Sequence, residues 1–494
     1  MLHIFLKDSI IYTIPSIISR GLSLLLIPLY TRVLNPAEYG SLDLLVAFGN
    51  LVNLTIALEV SQGVARHYAE EQDAIKKVVY ASSAFWFTIF TYSLFGGIAL
   101  LFSEPLASRI MGNTGMLSAF RIGILYIWLN GIFYLIQNQL RWELRSKHYA
   151  AVSMMAAFST AGIAVWFTYG LHWKLNGLIW GMAAGTSLGA IYGLWHLKHS
   201  FCFYFDFKLL KKMLTFSAPL VPSGVAVFIS AYVDRLMITH FLSVNLVGLY
   251  GVGFRVAGII GLAMVGFQGS LTPLVYAHYH KPETPCHLAR IFRLFMAFAL
   301  WVSALLTVFA HNILSLITTP EYYQAEQVII FLVPAILLSQ MYIFAPGIAI
   351  AKKNHLFLWI NLSGAVVNTI LNWWLIPILG IKGAALATFL GYLFVFAMYM
   401  QCSQKLYHIP HEWHSIGLAA VITSLVVITI TLLNLGGQAR YVLAFAGLLV
   451  VGFTIFLTGL IRKTELLELG RFVFDQFAQK PKNKIPSNET AETN

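Results

Sequence analysis

The chain is predicted to be an all-α polytopic membrane protein of about 14 transmembrane helices, and three observations carry that prediction. Of 494 residues, 58% are apolar and 11% charged, with a mean hydropathy of +0.74. Soluble domains carry about 25% charged residues. The apolar residues form continuous runs long enough for the about 20 residues that a helix needs to cross the hydrocarbon. They do not alternate over about ten residues as the strands of a membrane β-barrel do. Lysine and arginine, finally, are distributed very unequally between alternate loops.

The expected spans follow in order. Residues 9–31 are apolar around a single charge, Arg20, midway along. The second span, 42–65, carries Glu59 and Gln62 on one face that Arg66 just beyond it shares, with Glu59 and Arg66 two turns apart as an expected local pair. The third span is 77–102, and the fourth, 117–140, holds Arg121 near its outer end, where snorkelling accounts for it. Spans at 149–170 and 176–197 follow, the latter rich in small residues. Residues 214–240 contain Pro219 and Pro222, which remove backbone donors and are expected to bend the helix, and the step Asp234-Arg235. Residues 247–275 contain Arg255. The remaining spans are 289–312, 326–350, 355–379, 382–403, 414–434 and 440–461.

With the N-terminus inside, 23 lysines and arginines fall on the even-numbered loops and the two ends. Only Arg32, Arg109, Lys174, Lys382 and Arg440 fall on the odd loops. This bias predicts that both termini are cytoplasmic. It also accounts for the net charge of +12 without any nucleic acid. Cys202, Cys286 and Cys402 lie on or beside cytoplasmic loops and are expected to be reduced. The first apolar run is too long for the core of a cleavable signal.

An internal repeat is visible. Lys147, Gly177 and Gly185 recur as Lys353, Gly383 and Gly391, each displaced by 206 residues, and "VLNPAEYGSL" matches "FLSVNLVGLY" at a displacement of 208. Six spans lie between the copies, so both have the same orientation, as in transporters built from parallel repeats with a substrate site near the midplane. The expected organisation is an N-terminal lobe over 1–200, a second lobe over 201–404 and two added helices over 405–463. An interfacial helix from Thr464 to Lys480 and a disordered tail make up 464–494.

A charged side chain at the bilayer centre costs roughly 2.5–3.5 kcal/mol, so such residues face a bundle interior or a wet cavity. Arg20, Arg235 and Arg255 are therefore expected to line a cationic pathway, which suggests an anionic cargo. Asp234 and Arg235, consecutive and about 100° apart on a helix, are expected to diverge rather than pair. Two uncharged polar stripes add candidates. Asn130, Tyr134, Gln137 and Arg141 share one helix face, as do Asn361, Asn368 and Asn372. Sugar hydroxyls and neighbouring helices would use such amides equally well. Glu59 and Asp234 are the candidates for a coupling ion. Histidines 278, 280 and 287, and 408, 411 and 414, lie in short turns without a matching ligand pair, so no metal site is expected.

Three strings resemble the oligosaccharide (O-antigen type) flippases of the multidrug/oligosaccharidyl-lipid/polysaccharide exporter superfamily. They are "IPLYTRVLNPAEYGSLDLL" (Ile27–Leu45), "APLVPSGVAVFISAYVDRLMI" (Ala218–Ile238) and "VGLYGVGFRVAGII" (Val247–Ile260). The resemblance implies two six-helix lobes around a central cavity, alternating access and a polyprenyl-diphosphate-linked oligosaccharide as cargo. It implies a place in the bacterial inner membrane, beside the polymerase and chain-length machinery of surface polysaccharide synthesis, and no cofactor beyond a coupling proton or sodium ion. The rivals are a peptidoglycan-precursor flippase, a cation-drug antiporter and, from another class, a membrane glycan polymerase or ligase. The arginine excess argues against the antiporter. A polymerase or ligase would need a large outer loop, and the outer loops here are short.

Overall fold

The computed structural model describes residues 14–462, apart from 16, 20, 113, 263, 265–266, 268–270, 272–274, 276–277, 354 and 434–436, and also residue 465. Arg20 and the expected interfacial helix and tail beyond residue 465 therefore lie outside the described residues.

Among the described residues, 12 helices are long and apolar enough to span a membrane, and a bent helix pair makes a thirteenth. The expected first span appears as a shorter apolar helix, α1 (Ile17–Thr31). The bent pair is α2 (Pro36–Thr55) and α3 (Val60–Glu70), which meet at 43°. Then come α4 (Ala74–Leu101), the short α5 (Ser103–Met111), α6 (Leu117–Trp142), α7 (Ser146–Val165) and α8 (Lys174–His196). The next pair is α9 (Phe207–Ser217) and α10 (Val221–Phe241), joined by a 3-10 turn at Ala218–Leu220. The proline-induced distortion expected there is confined to that turn, and Phe207–Phe241 runs on as one 35-residue helix. After α11 (Val244–Ala257) come α12 (Thr284–Val308), α13 (Ala310–Ile317), α14 (Glu326–Gln340), α15 (His355–Leu379) and α16 (Ile381–Leu406). The last two are α17 (Trp413–Leu433) and α18 (Gly437–Leu457).

The sequence repeat has a local cause at each end. Asn35 caps α2 in a capping box with Glu38, with Pro36 at the first turn. Ser243, 208 residues later, caps α11 by accepting from the Leu246 N–H. The glycines displaced by 206 residues are contact points. A Cβ on Gly185 would lie 2.3 Å from the Thr160 backbone nitrogen, and one on Gly391 would lie 3.0 Å from the Asn368 Cβ. Small residues thus let α8 press on α7 in the first half and α16 on α15 in the second, as helix pairs in lipid require.

By contacts the chain divides into two compact units, Met1–Pro285 with Leu306–Ile409, and Cys286–Leu305 with Pro410–Asn494. Within the smaller unit, Arg293 on α12 is buried beside Glu465 and donates to the Gly459 carbonyl at 2.7 Å. Arg290 bonds Glu465 at 2.8 Å and Arg462 bonds Glu412 at 2.8 Å. Burial would by itself push the Glu465 carboxyl up, but the Arg462 backbone N–H and the Arg293 guanidinium hold it below the usual carboxylate range.

Candidate functional site

Within the larger unit, the bent pair α2–α3 of the first half runs along α9, α10 and α11 of the second, and the candidate site lies on this seam. At one end the backbones meet. A Cβ on Gly40 would stand 2.1 Å from the Val244 carbonyl oxygen, and one on Gly248 would stand 1.9 Å from that of Pro36. No side chain fits there, so these repeat-related glycines are what allow α2 and α11 to touch. Around them, the Tyr322 hydroxyl donates to the Leu34 carbonyl at 2.8 Å and Ser41 donates to the Met111 carbonyl at 3.1 Å. A hollow of about 330 Å³ opens beside this contact, lined by Ala37, Ser41, Thr239 and Ser243 among others, with no charged side chain in its wall.

One turn deeper the seam is charged. Arg235 on α10 donates from Nε to Asp43 Oδ2 on α2 at 2.6 Å and from Nη1 to Asp234 Oδ1 at 3.1 Å. The Tyr250 hydroxyl donates to the other oxygen of Asp234. Arg255 on α11 reaches Asp43 Oδ1 at a longer 3.6 Å and lies 5.0 Å from the centre of the Tyr39 ring. Two guanidiniums face two carboxylates, so the cluster is balanced in charge. Its members differ in access: the side chain of Arg235 is 5% exposed, whereas that of Arg255 is 24% exposed.

Two expectations are corrected here. Asp234 and Arg235 do pair, because the long arginine side chain curls back to a carboxylate that also accepts its own backbone N–H at 2.8 Å. Helical divergence constrains Cβ directions, not the reach of a guanidinium. Arg235 is also not a bare cation facing a pathway, since it is held between Asp43 and Asp234. Asp43 is the residue that sequence reasoning passed over. It stood at the edge of the expected span 42–65, but the helix starts at Pro36, which places Asp43 two turns inside. An intramembrane carboxylate facing intramembrane arginines was the available signal.

Farther along the seam, Asn50 donates to the Tyr232 hydroxyl at 2.8 Å, and the helix then breaks. Leu58 and Glu59 have φ of 48° and 51°, the left-handed region that non-glycine residues seldom occupy. Glu59 is half-buried at this break and has no ion-pair partner among the described residues. The expected Glu59–Arg66 pair is replaced by Arg66–Glu70 at 2.8 Å, one turn apart on α3. Tyr92, nearby on α4, donates to Asn53 at 2.6 Å.

The other candidates lie elsewhere. Gln137 donates to Ser153 at 2.7 Å, tying α6 to α7. Asn368 is buried, donating to the Ala387 carbonyl at 3.3 Å and accepting from Asn372 at 3.1 Å between α15 and α16. Both amides are used for helix packing. Asn130 is half-buried on α6, and Arg121 is exposed and donates to Ser103 at 3.2 Å.

Comparisons with known proteins agree with this architecture. Residues 29–266 match the family model described as "Polysaccharide biosynthesis protein", and residues 219–374 match that of MatE. A Haloferax volcanii protein named "Probable low-salt glycan biosynthesis flippase Agl15" is 24% identical over 94% of this chain and 99% of its own length. Protein 1 of the Lsg locus of Haemophilus influenzae is 23% identical over 55% of this chain, which spans 65% of that relative. Among solved structures, the lipid II flippase MurJ in an inward closed conformation superposes with a TM-score of 0.69 at 16% identity, over 95% of this chain and 100% of that one. A Vibrio cholerae MATE transporter, VcmN, gives 0.58 at 14% identity, over 81% and 96%. These likenesses support an oligosaccharide flippase of the multidrug/oligosaccharidyl-lipid/polysaccharide exporter superfamily.

Proposed function

We propose that this protein is a flippase that carries a polyprenyl-diphosphate-linked oligosaccharide repeat unit across the bacterial inner membrane for surface polysaccharide synthesis. Both termini then lie in the cytoplasm, as the loop charges suggest. The physical problem is to move a charged, hydrated headgroup through about 30 Å of hydrocarbon while its lipid tail stays outside the protein.

The observation that supports this reading is that Asp43 of the first half faces Arg235 and Arg255 of the second. In an alternating-access cycle the halves part at this seam, and the carboxylate leaves with α2. Arg255 then faces the opened space without its carboxylate, Arg235 stays beside Asp234, and the net positive charge and donors of the pair suit a diphosphate. Arg255, already partly accessible, makes the first contact. Gln137 and Asn368 serve as scaffold. Of the two carboxylates put forward for coupling, Asp234 is occupied by Arg235 and Tyr250, which leaves Glu59, at the helix break, as the group that takes the coupling ion.

The test is leaflet exchange. Purified protein in liposomes, supplied with the lipid-linked glycan that accumulates in cells lacking it, is expected to move that glycan between leaflets without altering it. Arg255→Ala is expected to stop the movement while leaving membrane levels normal. Undiminished exchange by that variant would remove the arginine from the site, and turnover of the glycan would make the protein an enzyme.

A further inference from the structure

The segment that joins the two repeat halves, residues 197–207, makes a rigid hump outside the spans. Its middle and its far end are fixed to one helix, α4. The Cys202 N–H donates to the Ser82 hydroxyl at 2.8 Å, and the Asp206 N–H donates to the Ser83 hydroxyl at 3.0 Å. Trp86 donates to the Cys202 carbonyl at 3.1 Å, and Phe201 stacks on Phe85 at 4.7 Å. Between these pins the chain turns its aromatics outward, with Phe203 96% exposed and Tyr204 and Phe205 also exposed, and Phe207 just beyond them is exposed as well. Among the described residues a hydrogen-bonded frame holds these rings open, with Trp86 beside Phe203 at 5.2 Å.

Charge lies immediately beside them. The Asp206 carboxylate caps α9 by accepting from the Lys208 and Leu209 N–H groups at 2.7 and 3.1 Å. The helix buries Leu210 and Met213 and leaves Lys208, Lys211 and Lys212 exposed, while Lys198 is exposed on the other side of the hump. The depth of this group follows from helix lengths. The 28 residues of α4 measure about 42 Å, about 12 Å more than the hydrocarbon thickness. Ser82 lies about 12 Å from the lysine-bearing start of α4, which places it where hydrocarbon gives way to headgroups. The 35-residue helix Phe207–Phe241 likewise exceeds the hydrocarbon, and its lysines occupy the protruding end.

We propose that residues 203–212 form an interfacial anchor for an anionic phospholipid surface. The rings of Phe203, Tyr204 and Phe205 lie in the boundary between headgroups and acyl chains, and Lys208, Lys211 and Lys212 meet the lipid phosphates. Because the hump sits on the link between the halves, it fixes to the membrane the one segment both halves share. This does not depend on the identity of the cargo.

The experiment uses the full chain with its cysteines replaced (Cys202→Ser, Cys286→Ser, Cys402→Ser), reconstituted in phosphatidylcholine vesicles with or without phosphatidylglycerol. Spin labels are placed singly through Phe203→Cys, Phe205→Cys and Lys211→Cys. The labels at 203 and 205 are expected to collide with oxygen more than with a water-soluble nickel complex, and the label at 211 the reverse. Retention of phosphatidylglycerol by the extracted protein, read by native mass spectrometry, is expected to fall roughly five-fold for each of Lys208→Gln, Lys211→Gln and Lys212→Gln. Labels at 203 and 205 as accessible to nickel as that at 211 would overturn the proposal. So would phosphatidylglycerol retention that ignores the lysines.

Discussion

Arg235 Nε lies 2.6 Å from Asp43 Oδ2, joining residues 192 positions apart in the chain and in different halves of its internal repeat. The pair is buried, and it is the point at which charge, rather than shape, holds the seam together. Removing one partner of a buried ion pair costs about 3–5 kcal/mol, because the other charge is left without compensation.

Asp43→Asn is therefore expected to lower stability in detergent by about 3 kcal/mol, the low end of that range because Asp234 still holds Arg235. Adding Arg235→Met leaves the buried Asp234 without its cation, so the double variant is expected to be less stable still, but by less than the sum of the two single losses. Thermal unfolding of the two single variants and the double variant checks this, and simple additivity would mean that the pair carries no coupling.

Gly40→Ala and Gly248→Ala place a methyl group against a backbone carbonyl and should force α2 and α11 apart. A Ser41→Cys reporter in a cysteine-free chain is expected to react faster with a membrane-impermeant maleimide in either variant. Gly97→Ala, where nothing lies within 4 Å, is the control and should leave the rate unchanged.

Asn368→Ala and Gln137→Ala should lose stability by about 0.6 kcal/mol each, the typical worth of an interhelical hydrogen bond in a membrane. Transport per folded molecule should remain near that of the parent protein. A large fall in transport with unchanged melting would return these amides to the translocation path.

The Glu465 carboxyl is held below its usual range in the folded chain, so the unfolded chain binds its proton more readily. Its stabilising contribution is complete above the unfolded carboxylate value of about 4.3 and is lost as pH falls through the lower folded value. Hydrogen exchange in residues 410–462 should accelerate over that acidic window. Glu465→Gln should flatten the response, and an identical profile in that variant would exclude the carboxylate as its source.

Much of the architecture was legible along the chain. Apolar runs of membrane-crossing length marked the helices, because lipid cannot satisfy backbone groups and leaves a span few alternatives. The break at Glu59 was not legible, since nothing in "NLTIALEVSQG" signals two successive left-handed residues. Nor was the use of Asn368 and Gln137, because an amide looks the same in sequence whether it meets a sugar or a neighbouring helix.

Membrane residence and the all-helical fold are properties of composition and period, and the sequence alone determined them, while the 14 spans expected stand against 12 spanning helices and one bent pair among the described residues. Which arginine is neutralised and which keeps access was decided only by tertiary structure. Asp43 meets Arg255 where Gly40 and Gly248 let α2 and α11 touch, and meets Arg235 where α2 runs along α10, and contacts between residues so far apart in the chain leave no local signature. Charge can be counted in one dimension, but its compensation is set by distance in three.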